Sequence, residues 1–303
     1  MVQQTKLSRL PARFPLACQW EITCRCNLRC VMCYTDCRNR PDFVRDELAT
    51  DEILRLMDEM AEAGTLEICL TGGEPLARPD FFTLYEHAIR HGFLVTLFTN
   101  GTLIREAEAD YFARLRPHRI EISLHGVTPQ TFERVTLGTG SYRRCLEAVG
   151  FLLDRHLPLV LKSTALTLNR HEIPAIKRYV DSLGTVPFKL GEELRPDLNG
   201  SNEPYRYALS EQEVTALNRE DTELWEETCR QKTTTPMPCE SGMHRFHIDA
   251  YGRLQLCSGN RAESYDLRNG SFGEGFFNVL PTFACEWKAS RTTGLIRPIV
   301  HHA

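Results

Sequence analysis

The sequence lacks several features, and each absence removes a class of protein. It has no run approaching the ~20 consecutive apolar residues that a membrane-spanning helix needs. It has no excess of positive charge: 36 Lys and Arg stand against 40 Asp and Glu, a formal net charge of -4, so bulk electrostatics give no nucleic-acid footprint. The opening residues, MVQQTKLSRLPARFPL, carry neither a long apolar segment nor a small-residue cleavage site, so no secretory signal is expected. Low-complexity tracts are missing, as are repeats beyond a strand–helix alternation. What remains is 303 residues of ordinary globular composition, 42% hydrophobic and 25% charged, enough for one large domain or two smaller ones.

Cysteine, by contrast, is abundant, with 12 in the chain. An even count in a small secreted domain reads as disulfides. This chain is long enough to bury a core without staples and shows no export signal, so reduced thiols with a metal or catalytic role are expected. Cys18, Cys24, Cys26, Cys30, Cys33 and Cys37 crowd together near the start. Cys69 and Cys145 stand apart; like Cys18 they sit in or beside apolar segments, where small-hydrophobe packing is expected. Cys229, Cys239, Cys257 and Cys285 lie in the last quarter, with Cys229 in a polar helical segment.

Apolar runs alternate with amphipathic ones from about residue 17 to 190. Strands are expected at 17–23, 66–70, 93–98, 119–124, 157–165 and 186–190. Helices are expected at 51–63, 80–90, 104–115, 141–155 and 172–182. The first places Ile53, Leu56, Met57 and Met60 on one face, with Thr50 or Asp51 as N-cap and Gly64 as its stop. The strands are continuous apolar runs, as in a parallel sheet covered on both faces, with right-handed crossovers. About 175 residues fall short of the roughly 250 of a full eight-fold barrel, so a partial (β/α)6 TIM-like barrel fits the α/β pattern best. The expected organisation is a lead-in at 1–14, the barrel core at 15–191, a linker and polar helix at 192–232, and a small C-terminal region at 233–303. In that last region 245–248 and 253–256 flank DAYG, a hairpin signal.

Cys26, Cys30 and Cys33 form CxxxCxxC in the loop after the first strand. Three thiolates on one loop suit a cubane iron–sulfur cluster whose fourth iron stays open to a non-protein ligand. A zinc site completed by Cys24 or Cys37 has the same ingredients, as do unligated thiols. The second strand ends in Thr71-Gly72-Gly73-Glu74-Pro75. Two glycines there permit close approach of a ligand to backbone, and Glu74 sets a carboxylate at the end where barrel active sites sit; an ordinary Gly-rich turn is the plainer reading.

Taken together, Cys26, Cys30, Cys33 and the GGEP at 72–75 resemble the radical S-adenosylmethionine (radical SAM) superfamily in spacing, placement and order. The resemblance implies a [4Fe-4S] cluster on three cysteines, its open iron chelating the amino and carboxylate groups of S-adenosylmethionine. Reductive cleavage would then give a 5′-deoxyadenosyl radical that abstracts hydrogen from substrate. It implies cofactor contacts at Tyr34, Gly72, Gly73, Glu74, Asn100 and Ser123, with Lys162 reaching cofactor or substrate, or else snorkelling. Met32 is aliphatic where the family often has an aromatic, and His125 stands where relatives often have Asp or Tyr.

Cys239 followed by GRLQLC at 252–257 resembles the opening of the SPASM or twitch extension of peptide maturases, which carries auxiliary clusters. The dense cysteine stretch that should follow is absent; only Cys285 remains, and Lys288 stands where a paired cysteine is expected. Either Cys239, Cys257 and Cys285 hold one auxiliary cluster, or this region is incomplete and the chain is a truncated or inactive remnant. The resemblance further implies a precursor peptide as substrate, oxidoreductase-like or peptide-modifying chemistry, and a flavodoxin or ferredoxin electron donor. With no peptide-recognition segment before the first strand, a separate leader-peptide-binding protein is expected. A small-molecule substrate such as an alcohol or sugar is the alternative. An oxygen-sensitive cluster implies a reducing cytoplasm, with no membrane and no nucleic-acid partner.

Overall fold

The computed structural model describes residues 13–35, 41–191, 194–198, 200–220 and 240–285. Cys37, Cys229 and Cys239 lie outside the described residues, as does the end, from residue 221, of the stretch expected to hold the linker and polar helix. One sheet of nine strands runs in the order β6-β5-β4-β3-β2-β1-β7-β8-β9. Its first six strands are β1 (Ala17–Glu21), β2 (Glu67–Thr71), β3 (Leu94–Thr99), β4 (Arg119–Ser123), β5 (Leu159–Thr164) and β6 (Phe188–Gly191). They pair in parallel and in chain order, the α/β architecture expected from the alternation. Among the described residues the α-helices longer than one turn are α1 (Pro41–Arg45), α2 (Thr50–Glu62), α3 (Phe81–Arg90), α4 (Glu106–Arg114), α5 (Pro129–Thr136), α6 (Ser141–Asp154), α7 (Ile173–Ser182) and α8 (Glu211–Glu220).

Helix α2 shows how periodicity becomes packing. Ile53, Leu56, Met57 and Met60 are all fully buried, each worth about 1.5–3 kcal/mol of transfer from water. Neither Thr50 nor Asp51 caps it: the cap position is Ala49, whose N–H donates to Glu52 Oε2 at 2.7 Å, while the Thr50 hydroxyl goes to Asp80 Oδ2 at 2.6 Å. Gly64, at φ +91°, ends the helix as expected.

Strands β2 and β3 are not apolar on both faces. In β2, Ile68 and Leu70 are buried beneath helices, whereas Glu67, Cys69 and Thr71 are half-buried on the other face. The same alternation in β3 buries Val95, Leu97 and Thr99 and leaves Thr96 and Phe98 half-buried. A partial barrel keeps its interior open, so inward residues line a cavity instead of a sealed core.

The C-terminal hairpin joins this sheet. Strand β7 (Arg245–Ile248) pairs in parallel with β1, and β8 (Arg253–Gln255) and β9 (Tyr265–Asp266) follow antiparallel. At the turn, Asp249 Oδ1 accepts from the N–H groups of Tyr251 (2.9 Å) and Arg253 (3.0 Å), and Gly252 takes φ +81°. Phe246 of β7 forms an aromatic cluster with Phe272 and Phe276. Arg55 of α2 donates to the Leu267 carbonyl (2.7 Å), and Glu59 accepts from the Phe272 N–H (2.6 Å).

Candidate cofactor site

The loop after β1 is held from three sides. Glu47 accepts from the Thr23 hydroxyl (2.8 Å) and the Cys24 N–H (2.6 Å) and pairs with Arg25. The N–H groups of Arg29 and Val31 donate to the carbonyls of Thr136 (3.1 Å) and Val135 (2.9 Å) at the end of α5. The third side is the glycine pair. A Cβ on Gly72 would lie 2.3 Å from the Thr23 carbonyl oxygen, and one on Gly73 would lie 2.3 Å from that of Arg25 and 3.0 Å from Cys26 Cβ. Gly73 and Glu74 donate their N–H groups to those same carbonyls, at 2.9 and 2.7 Å. The close approach that the two glycines permit is therefore, first, that of the cysteine loop itself.

Cys26, Cys30 and Cys33 are half-buried and face one cavity. Burial pushes the Cys26 thiol up to about 12 and raises those of Cys30 and Cys33, and repulsion from neighbouring sulfurs adds to this at Cys26 and Cys30. Three such sulfurs in one buried loop call for a cationic group to draw off their protons. Cys24 turns elsewhere, its sulfur 3.4 Å from the Tyr251 hydroxyl.

The cavity measures about 740 Å³ and is lined by Tyr34, Gly72, Gly73, Asn100, Ser123 and Lys162 along with the cysteines. Glu74 does not line it. Its carboxylate is fully buried and accepts from the Thr99 hydroxyl (2.7 Å) and the Asn100 N–H (2.7 Å) at one end of β3, and from the Leu76 N–H (3.2 Å). Burial outweighs these bonds and pushes its carboxyl up to about 7. The Asn100 side chain donates to Asn27 Oδ1 (3.0 Å) and accepts from Thr102. The Tyr34 carbonyl accepts from Leu198 N–H at 2.9 Å. The guanidinium groups of Arg195 and Arg261 lie 5.8 and 5.7 Å from the centroid of the Tyr34 ring. Lys162 Nζ sits 3.2 Å above the Phe98 ring and 3.9 Å from Glu121, and burial lowers its ammonium to about 8 against the pull of Glu121. His125, also on the wall, is buried with no partner for Nδ1 among the described residues.

Several wall residues escaped sequence reasoning. Leu194, Arg195, Asp197, Pro204 and Tyr207 come from the stretch read as linker. Their Pro-, Asn- and charge-rich composition is that of any surface loop, so nothing local marks them as wall. Of the second cysteine set, Cys257 and Cys285 are half-buried. Their segments meet where Asn260 Nδ2 donates to the Ala284 carbonyl at 3.0 Å.

A parallel α/β sheet whose first loop presents three thiols to a cavity at the strand ends defines a class of cofactor-dependent enzyme. The chain belongs to the radical SAM superfamily, whose profile matches residues 20–180. Members of that superfamily use a [4Fe-4S] cluster and S-adenosylmethionine. An AdoMet-dependent heme synthase of Methanosarcina barkeri is 30% identical over 188 residues, 62% of this chain and 51% of that protein. A PqqA peptide cyclase of Bradyrhizobium diazoefficiens is 33% identical over 164 residues, 54% of this chain and 42% of that one. The chain thus spans about half the length of these curated relatives. The structure of Streptococcus suis SuiB bound to S-adenosylmethionine shares the fold, with a TM-score of 0.70 over 88% of this chain and 67% of that one at 13% identity. No helix among the described residues is long and apolar enough to cross a membrane.

Proposed function

We propose that this chain is a radical SAM enzyme that abstracts hydrogen from a ribosomally made precursor peptide and so modifies it. The observation that carries the reading is the convergence of Cys26, Cys30 and Cys33 with Gly72, Gly73 and Asn100 on one cavity wall. The peptide substrate is supported by likeness to PqqA peptide cyclase in sequence and to SuiB in fold. When bound, the cluster and S-adenosylmethionine supply reductive carbon–sulfur cleavage and hydrogen abstraction.

This chain's own residues supply placement. Cys26, Cys30 and Cys33 would hold the cluster. Gly72 and Gly73 seat the loop and leave backbone open to the cavity. Asn100 and Ser123 offer polar groups for the cofactor, and Tyr34 an aromatic face. Glu74 acts through Asn100, whose N–H it holds. Lys162 offers a cation to cofactor or substrate. Cys257 and Cys285, with Cys239, are the ligands proposed for an auxiliary cluster. The electron would come from a flavodoxin or ferredoxin, a separate protein would bind the leader peptide, and the oxygen-sensitive site fits a reducing cytoplasm.

A second reading has one observation in its favour. The likeness to AdoMet-dependent heme synthase, with Lys162 and Arg195 on the same wall, suits a small molecule bearing carboxylates. The test is mass spectrometry of anaerobic reactions with candidate precursor peptides: a peptide mass change dependent on S-adenosylmethionine supports the first reading. Turnover of a small carboxylate with every peptide unchanged supports the second.

A further inference from the structure

We propose a second metal site, remote from the cavity, formed by Asp58, His87 and His91 and selective for a borderline divalent transition ion of the zinc or nickel class. Asp58 projects from α2. His87 lies in the last turn of α3 and His91 just after it, so the i, i+4 spacing puts both rings on one face. His87 Nε2 is 2.6 Å from Asp58 Oδ1, and His91 Nε2 approaches the same oxygen at 3.4 Å. The two rings stack with centroids 4.0 Å apart.

An ordinary ion pair accounts for His87 and Asp58 alone. It does not account for a second imidazole directed at the same oxygen. The nearest cation along α3, Arg90, is engaged with Glu86. Nitrogen and oxygen ligands at about 2.0–2.2 Å from a tetrahedral zinc stand roughly 3.3 Å apart. His91 and Asp58 are already at that separation, and His87 reaches it by a shift well under ~1 Å. Two imidazoles and one carboxylate favour zinc, nickel or copper over magnesium or calcium, which prefer oxygen throughout. Three protein ligands leave the remaining positions to water.

The placement separates this site from the chemistry. His91 precedes the first residue of β3, whereas the cavity is walled at the other end of that strand by Phe98, Thr99 and Asn100. A bound ion would cross-link α2 to α3 near the end of β3 opposite the cavity and raise stability by mass action.

The test uses holoenzyme loaded with iron and sulfide, stripped of loosely held metal by a chelator and titrated anaerobically with zinc. Bound zinc and the thermal midpoint are measured for wild type, the His87→Ala/His91→Ala double variant and Asp58→Asn. Wild type should hold one zinc more than the double variant, so any zinc on cysteines cancels. Its midpoint should rise by about 5 °C at roughly a hundred times the dissociation constant. The double variant should lose that rise, Asp58→Asn should bind at least about tenfold more weakly, and 5′-deoxyadenosine formation should stay unchanged in all three. Equal zinc in wild type and double variant, or equal midpoint shifts, overturns the proposal. If the double variant does not fold, Asp58→Asn against wild type decides, and equal zinc affinity overturns it.

Discussion

Arg261 grips Glu21 across 240 residues of sequence, with Nη1 at 2.9 Å from Oε2 and Nη2 at 2.5 Å from Oε1. The Tyr34 hydroxyl donates to the same carboxylate at 3.3 Å. Burial alone would raise the Glu21 carboxyl, but His247 and Arg261 outweigh it and hold it down at about 2. The loop that follows β8 is thereby fastened to the residue after the third cysteine, and the C-terminal segment becomes part of the cofactor site's frame.

Removing Arg261 leaves the buried Glu21 carboxylate with only His247 at 3.8 Å and the Tyr34 hydroxyl at 3.3 Å. Arg261→Met should destabilise the chain by up to about 3–5 kcal/mol, the usual cost of breaking a buried ion pair. Glu21→Gln in the same chain should restore much of that loss. Urea unfolding of the single and double variants measures both numbers; equal midpoints for wild type and Arg261→Met would refute the coupling.

Gly73→Ala tests the seat of the cysteine loop. Its Cβ would meet the Arg25 carbonyl at 2.3 Å, backbone against backbone, so the loop must move. The variant should lose most of its iron after reconstitution while retaining its far-ultraviolet circular dichroism. Gly92→Ala, whose Cβ meets nothing within 4 Å, is the control for iron binding, with only the strain of φ +82°.

His125 gives a pH dependence. Burial, aided by Lys162, lowers its imidazolium to about 4 against an unfolded value near 6.5. The folded state keeps His125 neutral while the unfolded chain takes up the proton, so stability is lost as pH falls from about 6.5 to about 4. The loss approaches about 3 kcal/mol at the lower end. Full-chain protein carrying Cys26, Cys30 and Cys33→Ala shows this without acid loss of a cluster. Adding His125→Gln should flatten the slope between pH 6.5 and 5.

The elements that make the barrel could be read locally because each carries its own signal. The buried face of α2 repeats at Ile53, Leu56, Met57 and Met60, and the cysteine loop and glycine turn announce themselves by residue type. Helix α5 was missed because only Phe132 and Val135 are strongly apolar among its buried residues; Thr128 as cap and Pro129 at the first turn were the available signals. The parallel pairing of β7 with β1 was not legible, because a four-residue strand does not encode its partner and fold closure supplies it. The same holds for Arg261 with Glu21, and for the cavity wall built by residues 194–207. Glu74 could be placed at the site by its motif, but its direction, toward Thr99 and Asn100 and away from the cavity, depended on β3 being its neighbour.

The proposal that Cys26, Cys30 and Cys33 hold a cluster that cleaves S-adenosylmethionine is tested most directly by the 5′-deoxyadenosine released by the reduced, anaerobically reconstituted protein, beside its iron content. Wild type and Cys24→Ala should each bind a cluster and release the nucleoside, since Cys24 faces Tyr251, and Cys30→Ala should do neither. Wild type that binds the cluster at Cys26, Cys30 and Cys33 yet releases no 5′-deoxyadenosine, or a Cys30→Ala variant that still does, would contradict the account.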